Sequence, residues 1–196
     1  MTDPTSKWLV NGPSDAMKII DGKLDFAKQH TTPNCDDRPG CIADLIVVHC
    51  ISLPAGHFGG DFVTQLFCDQ LDLSRHADFS TLKDMHVSSH VFIRRDGAVL
   101  QFVPFHKRAW HAGKSEFQGL QSCNDFSIGI ELEGTDTSKF DDIQYKKLSS
   151  ICKLLMDSHL IPPERIVGHS DIAPDRKTDP GLCFDWSKFH SLIGEK

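Results

Sequence analysis

His49, Glu131, His169, Lys177 and Asp179 are, by residue type, the parts of a metal-assisted hydrolase. A catalytic zinc takes three ligands from His, Asp, Glu or Cys and keeps a fourth position for water; His49, His169 and Asp179 supply such a set. Bound water then approaches a pKa of about 7, which makes a nucleophile for a carbonyl available at neutral pH. A carboxylate that takes the water's proton would complete the site, and Glu131 and Glu133, two apart on one strand, are both candidates. Lys177, two residues before Asp179, is a cation for a developing oxyanion. The spacing is unlike the compact HExxH pattern. Each residue alone also has an ordinary reading: a hydrogen-bonded core histidine, a turn-initiating aspartate, a solvated lysine. The set means something only if the fold brings it together.

Three of the five lie in GHSDIAPDRKTDPGLC (168–183), whose prolines and glycines mark a turn-rich loop. ADLIVVHC (43–50) is a short β-branched run, as expected of a buried central strand, with His49 at its C-terminal end. FSIGIELEG (126–134) alternates, placing Phe126, Ile128, Ile130 and Leu132 on one face and Ser127, Gly129, Glu131 and Glu133 on the other. RIVGH (165–169) reads as a strand ending at His169. SSHVFIRR (88–95) and AVLQFVP (98–104) flank Asp96-Gly97 and predict a hairpin with a two-residue type I′ connection. Helical spacing is expected over 61–72, capped at Gly60 or Asp61, and over 142–158, where Ile143, Leu148, Ile151, Leu154 and Leu155 recur. This order predicts one α/β domain with a mixed sheet flanked by helices. Ligands in such sheets collect at strand C-terminal ends, where His49 and His169 would meet. Residues 1–40 lack a sustained period and are expected as an extension packed on a domain spanning 41–190.

Composition narrows the partners. A chain of 196 residues with 39% hydrophobic content fits one domain with a sizeable core. Its net charge of -6 argues against nucleic acid or an anionic membrane, which both reward a basic face. No apolar run reaches membrane-spanning length, and the first residues lack the pattern of a secretory leader. The 7 cysteines form no CxxC pair and suit a reducing compartment, so the cytoplasm is the expected location.

Four ordered blocks, LIVVHCISLPAGHFGG, HVSSHVFIRRDGAVLQFVPFHKRAWHAG, CNDFSIGIELEGTD and GHSDIAPDRKTDPG, closely resemble the AmpD amidases, the cytoplasmic 1,6-anhydro-N-acetylmuramyl-L-alanine amidases of bacterial cell-wall recycling. TTPNCDDRP is also similar, and the likeness runs from about Trp8 to Phe189. The resemblance implies the fold of type 2 amidases and peptidoglycan recognition proteins, and one Zn2+ per chain held by His49, His169 and Asp179. It implies Glu131 as general base and Lys177 as the transition-state stabiliser. The implied reaction is hydrolysis of the amide between the lactyl group of anhydromuramic acid and L-alanine in an anhydro-muropeptide; the sequence does not fix the oligomeric state, and a monomer is the favoured expectation. Trp110 and His111 fall where such enzymes shape the substrate pocket. Some relatives carry Asn at the position of Cys50 and Arg at those of His86 and Ser122, and a guanidinium there would suit a stem-peptide carboxylate. These five are the expected substrate-binding positions. Two other readings are a peptidoglycan-binding module without catalysis, which the full set of ligands, base and lysine disfavours, and a periplasmic amidase acting on the polymeric wall.

Overall fold

The apolar, β-branched run at 45–51 and the alternating run at 127–133 lie side by side inside a six-stranded sheet in the computed structural model, which describes residues 17–194. What was expected of residues 1–16 in the N-terminal extension lies outside the described residues. The strands are β1 (Lys28–Gln29), β2 (Leu45–Ile51), β3 (Val91–Ile93), β4 (Val99–Gln101), β5 (Ser127–Glu133) and β6 (Ile166–Gly168), in the order β6-β2-β5-β3-β4-β1. The sheet is mixed, as predicted: β5 runs parallel to β2 and β3, β6 to β2 and β1 to β4, whereas β3 and β4 are antiparallel.

The helices are α1 (Phe62–Phe67), α2 (Asp142–His159), α3 (His169–Ile172) and α4 (Trp186–Ile193). One sheet face buries Ile46, Val48, Ile128, Ile130 and Leu132 against Leu148, Ile151 and Leu155 of α2 and Phe189 of α4. Truncating one of these to alanine costs about 2–5 kcal/mol. The start of α2 is fixed by Gln144, whose Oε1 accepts from Asp141 N (3.0 Å) and whose Nε2 donates to the carbonyls of Ile93 and Glu133 (3.2 and 3.1 Å). This helix is therefore tied to the ends of β3 and β5. The opposite face packs Leu45 and Val47 on Ala112, Cys123 and Ile172, and Phe92 and Leu100 on Val63, Leu66 and Phe67 of α1.

Local structure departs from expectation in three places. The helix expected over 61–72 stops at Phe67, because Asp69 takes a left-handed backbone (φ 54°) and Gln70 N closes the turn on Gln65 O. At 94–98 the hairpin forms, but only Gly97 has positive φ (84°), whereas a type I′ turn needs two such residues. Gly97 N instead donates to Arg94 O and Arg94 N to Ala98 O, while Asp96 Oδ1 accepts from Ala98 N: a longer turn closed by a left-handed glycine. Phe126 precedes β5 with ψ at 12°, so the alternation does not extend to it, and it packs with Leu45 and Val47 rather than with Ile128. The polar row of β5 is itself buried, Ser127 to Glu133 inclusive.

The segment before residue 40 contributes to this frame. Besides β1, Cys35–Asp37 pairs antiparallel with Lys107–Ala109. Arg108 grips Asp36 and Asp125 there, while Arg38 donates to the carbonyls of Phe105, Asn124, Asp125 and Ser127.

Candidate active site

Strand register does most of the assembly. Glu131 of β5 stands opposite His49 of β2, and Gly168 of β6 stands opposite Val48. The residue after Gly168 is His169, which leaves β6 level with His49 and opens α3. From there the chain doubles back: Ser170 N donates to Asp179 O (2.9 Å), Lys177 N to Ala173 O (2.9 Å), and Asp171 Oδ2 accepts from Gly168 N (2.7 Å). Arg176 pins the loop from outside, donating to the carbonyls of Ala112 and Lys114 (2.7 and 2.8 Å).

Three acceptor-bearing atoms converge as a result. His49 Nδ1 lies 2.9 Å from His169 Nδ1, and each is 3.1 Å from Asp179 Oδ2. Tetrahedral zinc with bonds of about 2.0–2.1 Å spaces its ligands about 3.3 Å apart, so a few tenths of an ångström separate this triangle from a zinc face. Both histidines are nearly inaccessible, at 1% and 3% exposure. Burial lowers the His49 pKa to about 4, against an opposing pull from Asp179, so the ring is neutral near pH 7 as a ligand must be. Burial works against the Asp179 carboxylate, but its contacts with His169 and His49 more than offset this and hold it ionised well below the usual range.

The two carboxylates that sequence could not separate have different surroundings. Glu133 is occupied: its Oε1 accepts from Gly59 N (2.5 Å) and its Oε2 from Arg95 N (3.0 Å). Glu131 is 8% exposed, and its Oε2 has no hydrogen-bond partner among the described residues. Burial first, then the Asp179 charge, push its carboxyl well above the ordinary range, with Lys177 opposing. The Lys177 ammonium is thus close enough to act on both Glu131 and His49.

The five expected substrate positions scatter more widely. His111 stands against the site, with Nδ1 2.9 Å from His49 Nε2. Cys50 lies on the other side of β2 from His49 and packs against the α2-facing core, where burial and then Glu131 raise its thiol. Trp110 is half-buried, its N donating to Ser88 Oγ (3.2 Å). His86 is exposed and pairs with Asp69 (2.9 Å). Ser122 has a left-handed backbone (φ 61°) and lines a cleft of about 800 Å³ between residues 114–122 and 171–176; none of His49, Glu131, His169 or Asp179 lines it. Ser127, Gly129, Glu133 and Arg176 were not singled out by sequence for the roles they have here. A glycine inside a strand does signal a close approach, and at Gly129 a Cβ would sit 2.5 Å from His111 Cγ.

Residues 38–182 match the family model for N-acetylmuramoyl-L-alanine amidase. The chain belongs to the N-acetylmuramoyl-L-alanine amidase family. It is 48% identical over 181 residues to the 1,6-anhydro-N-acetylmuramyl-L-alanine amidase AmpD of Escherichia coli (strain K12), covering 92% of this chain and 99% of that one. Against AmpD of Haemophilus influenzae the identity is 45%, over 89% of this chain and 96% of the other. Among solved structures, an AmpD crystal structure superposes with a TM-score of 0.89 at 47% identity, covering 90% and 99% of the two chains. Escherichia coli AmiD, solved with anhydro-N-acetylmuramic acid-L-Ala-D-gamma-Glu-L-Lys, gives 0.56 at 28% identity over 92% of this chain and 67% of that one. The amidase fold expected from sequence is the fold observed.

Proposed function

We propose that this amidase uses one zinc per chain to hydrolyse the amide joining the lactyl group of 1,6-anhydro-N-acetylmuramic acid to L-alanine in muropeptides, as a cytoplasmic step of cell-wall recycling. The observation that carries the reading is Glu131. It is a buried carboxylate with an unpartnered oxygen, in register with one member of a His-His-Asp cluster that could hold a metal. The choice of substrate is supported by the names of the AmpD relatives and by the anhydromuropeptide bound to AmiD.

His49, His169 and Asp179 would hold the zinc, which supplies a Lewis acid and lowers the pKa of water when bound. Glu131, two of whose neighbours are Asp179 and Lys177, takes the proton of the attacking water and returns it to the departing L-alanine amine. The raised affinity of its carboxyl for a proton suits both halves of that transfer. Lys177, whose positive charge bears on both Glu131 and His49, would stabilise the oxyanion that forms on the lactyl carbonyl. Glu133 keeps its two backbone donors and stays out of the chemistry. Of the positions expected to bind substrate, His86, Trp110, His111 and Ser122 remain the proposed substrate-facing ones in this reading, whereas Cys50 packs towards α2.

The reading takes the chain as a monomer, with residues 1–40 as an extension on a catalytic domain of 41–190. A cytoplasmic setting agrees with seven cysteines that are all thiols. Among the described residues, no helix is long and apolar enough to cross a membrane. The test is release of L-alanyl peptide from anhydro-muropeptide and from intact sacculus by the zinc-loaded protein, before and after chelation. Cleavage of the soluble substrate, lost with the metal and restored by zinc, is expected. Zinc-loaded protein that binds muropeptide without cleaving it would sink the reading, and equal rates on both substrates would remove the recycling assignment.

A further inference from the structure

Beneath His49 runs a chain of polar contacts in which every proton can be assigned. Ser127 Oγ lies 2.5 Å from Cys123 O. Two oxygens at that distance share a proton, and a carbonyl has none to give, so the serine hydroxyl points at Cys123. Towards its other neighbour, His111 Nε2 at 3.2 Å, the same oxygen can only accept. His111 therefore carries its proton on Nε2. A neutral imidazole has one such proton, which leaves His111 Nδ1 bare. His49 Nε2, 2.9 Å from that bare nitrogen, must then donate to it.

The same count fixes His169 from another side, since its Nε2 lies 3.2 Å from Ala112 O and must carry the proton. Both Nδ1 atoms are left with lone pairs directed at each other and at Asp179 Oδ2, an arrangement that calls for a metal ion, or in its absence a shared proton, at the centre of the triangle.

We propose that His111 is a positioning residue: locked by Ser127, it holds His49 in the Nε2-protonated tautomer and so presents the Nδ1 lone pair to the metal. The slot for its ring is built into the sheet. Gly129, between Ser127 and Glu131 on the polar row of β5, leaves the space that a Cβ would fill, 2.5 Å from His111 Cγ. The backbone at the same point is held by Asn124, whose Oδ1 accepts from the N–H groups of His111 and Ala112 (3.0 and 2.8 Å). This assigns to His111 a task distinct from lining a substrate pocket.

The inference rests on the zinc reading, and its tests do not require turnover. In long-range 1H–15N spectra of the unmutated, zinc-loaded chain, His49 is expected to be protonated at Nε2 and ligated through Nδ1. His111→Phe keeps a ring but removes the acceptor, and zinc affinity by chelator competition should fall about 10- to 100-fold with the fold retained. His111→Gln, whose amide again offers an acceptor and a donor, should recover most of that loss. Ser127→Ala, which frees His111 to change tautomer, should lose less than His111→Phe. Ligation of His49 through Nε2, or unchanged zinc affinity in a folded His111→Phe protein, overturns the proposal. If His111→Phe does not fold, the spectra of the unmutated chain decide alone. An inactive chain that still binds zinc with this tautomer pattern would count against the amidase reading and leave the positioning role standing.

Discussion

Replacing Glu131 and Glu133 one at a time by glutamine should separate a base from a brace, because the two side chains stand on the same face of β5 with opposite degrees of occupancy. Glu131→Gln removes a proton acceptor without removing a ligand. Loss of a positioned general base costs at least about a hundredfold in kcat, or about 2.7 kcal/mol on the barrier. Its effect on folding runs the other way. An acid whose pKa is raised by burial keeps its proton in the native state after the unfolded chain has released it. The native state then binds more protons, and stability falls as pH climbs from the ordinary carboxyl value of 4.5 through the raised one. Glutamine abolishes that decline. Chelator-treated Glu131→Gln should therefore be more stable than the unmutated chain in urea at pH 7.5, with the gap closing at pH 4. Glu133→Gln should behave in the opposite sense. One oxygen remains, so one of the Gly59 and Arg95 N–H groups would face an amide NH2, donor against donor. The loss of a charged hydrogen bond there is worth about 1.5–3 kcal/mol, with zinc retained. Peptide release, zinc content and urea midpoints read all three effects. A fully active Glu131→Gln beside a zinc-loaded but dead Glu133→Gln would refute the assignment.

Removing a ligand has a different signature: His169→Ala should lose zinc on dialysis, and a protein that keeps one equivalent would show that this histidine is no ligand. Gly129→Ala drives a methyl group into the His111 ring, so a destabilisation of about 1–3 kcal/mol is expected together with weaker zinc binding; unchanged urea and zinc titrations would mean that the slot is not filled as described. Arg108→Ala strips Asp36 and Asp125 of their shared partner at a partly exposed site, and about 1–2 kcal/mol should be lost in urea with zinc affinity unchanged.

The elements that carry the site were legible because their apolar residues keep a period. β2 is a continuous buried run, α2 repeats at helical spacing within a residue of where it forms, and β5 alternates. Where a backbone leaves its period the reading fails: Phe126 continues the alternation on paper but precedes the strand, and Asp69 ends α1 through a left-handed residue that the apolar spacing of 61–72 does not reveal. Glu131 and Glu133 could not be ranked because the distinction belongs to donors supplied by Gly59 and Arg95, distant in sequence. His111 looked like a pocket residue for the same reason. Its contact with His49 and Ser127 depends on how the 108–125 region folds over the sheet, and no local spacing encodes that.

The polar row of β5 shows why such a site belongs on a buried parallel strand. Ser127, Gly129, Glu131 and Glu133 follow one another at about 6.6 Å, two residues of rise, and each meets a different demand. Ser127 locks His111, Gly129 makes room for it, Glu131 stands level with His49, and Glu133 anchors the loops at 59 and 95. On an exposed strand these four would be unremarkable. Enclosed on both faces, they are tolerable only if each polar atom finds a partner or a substrate, since an unpaired buried polar group is costly. The oxygen that lacks one belongs to Glu131. The arrangement also makes register a chemical variable. A slip of one residue against β2 would turn Ile128, Ile130 and Leu132 towards His49 and drive both carboxylates into the apolar packing against α2. The hydrophobic face that holds α2 thereby fixes the position of the base.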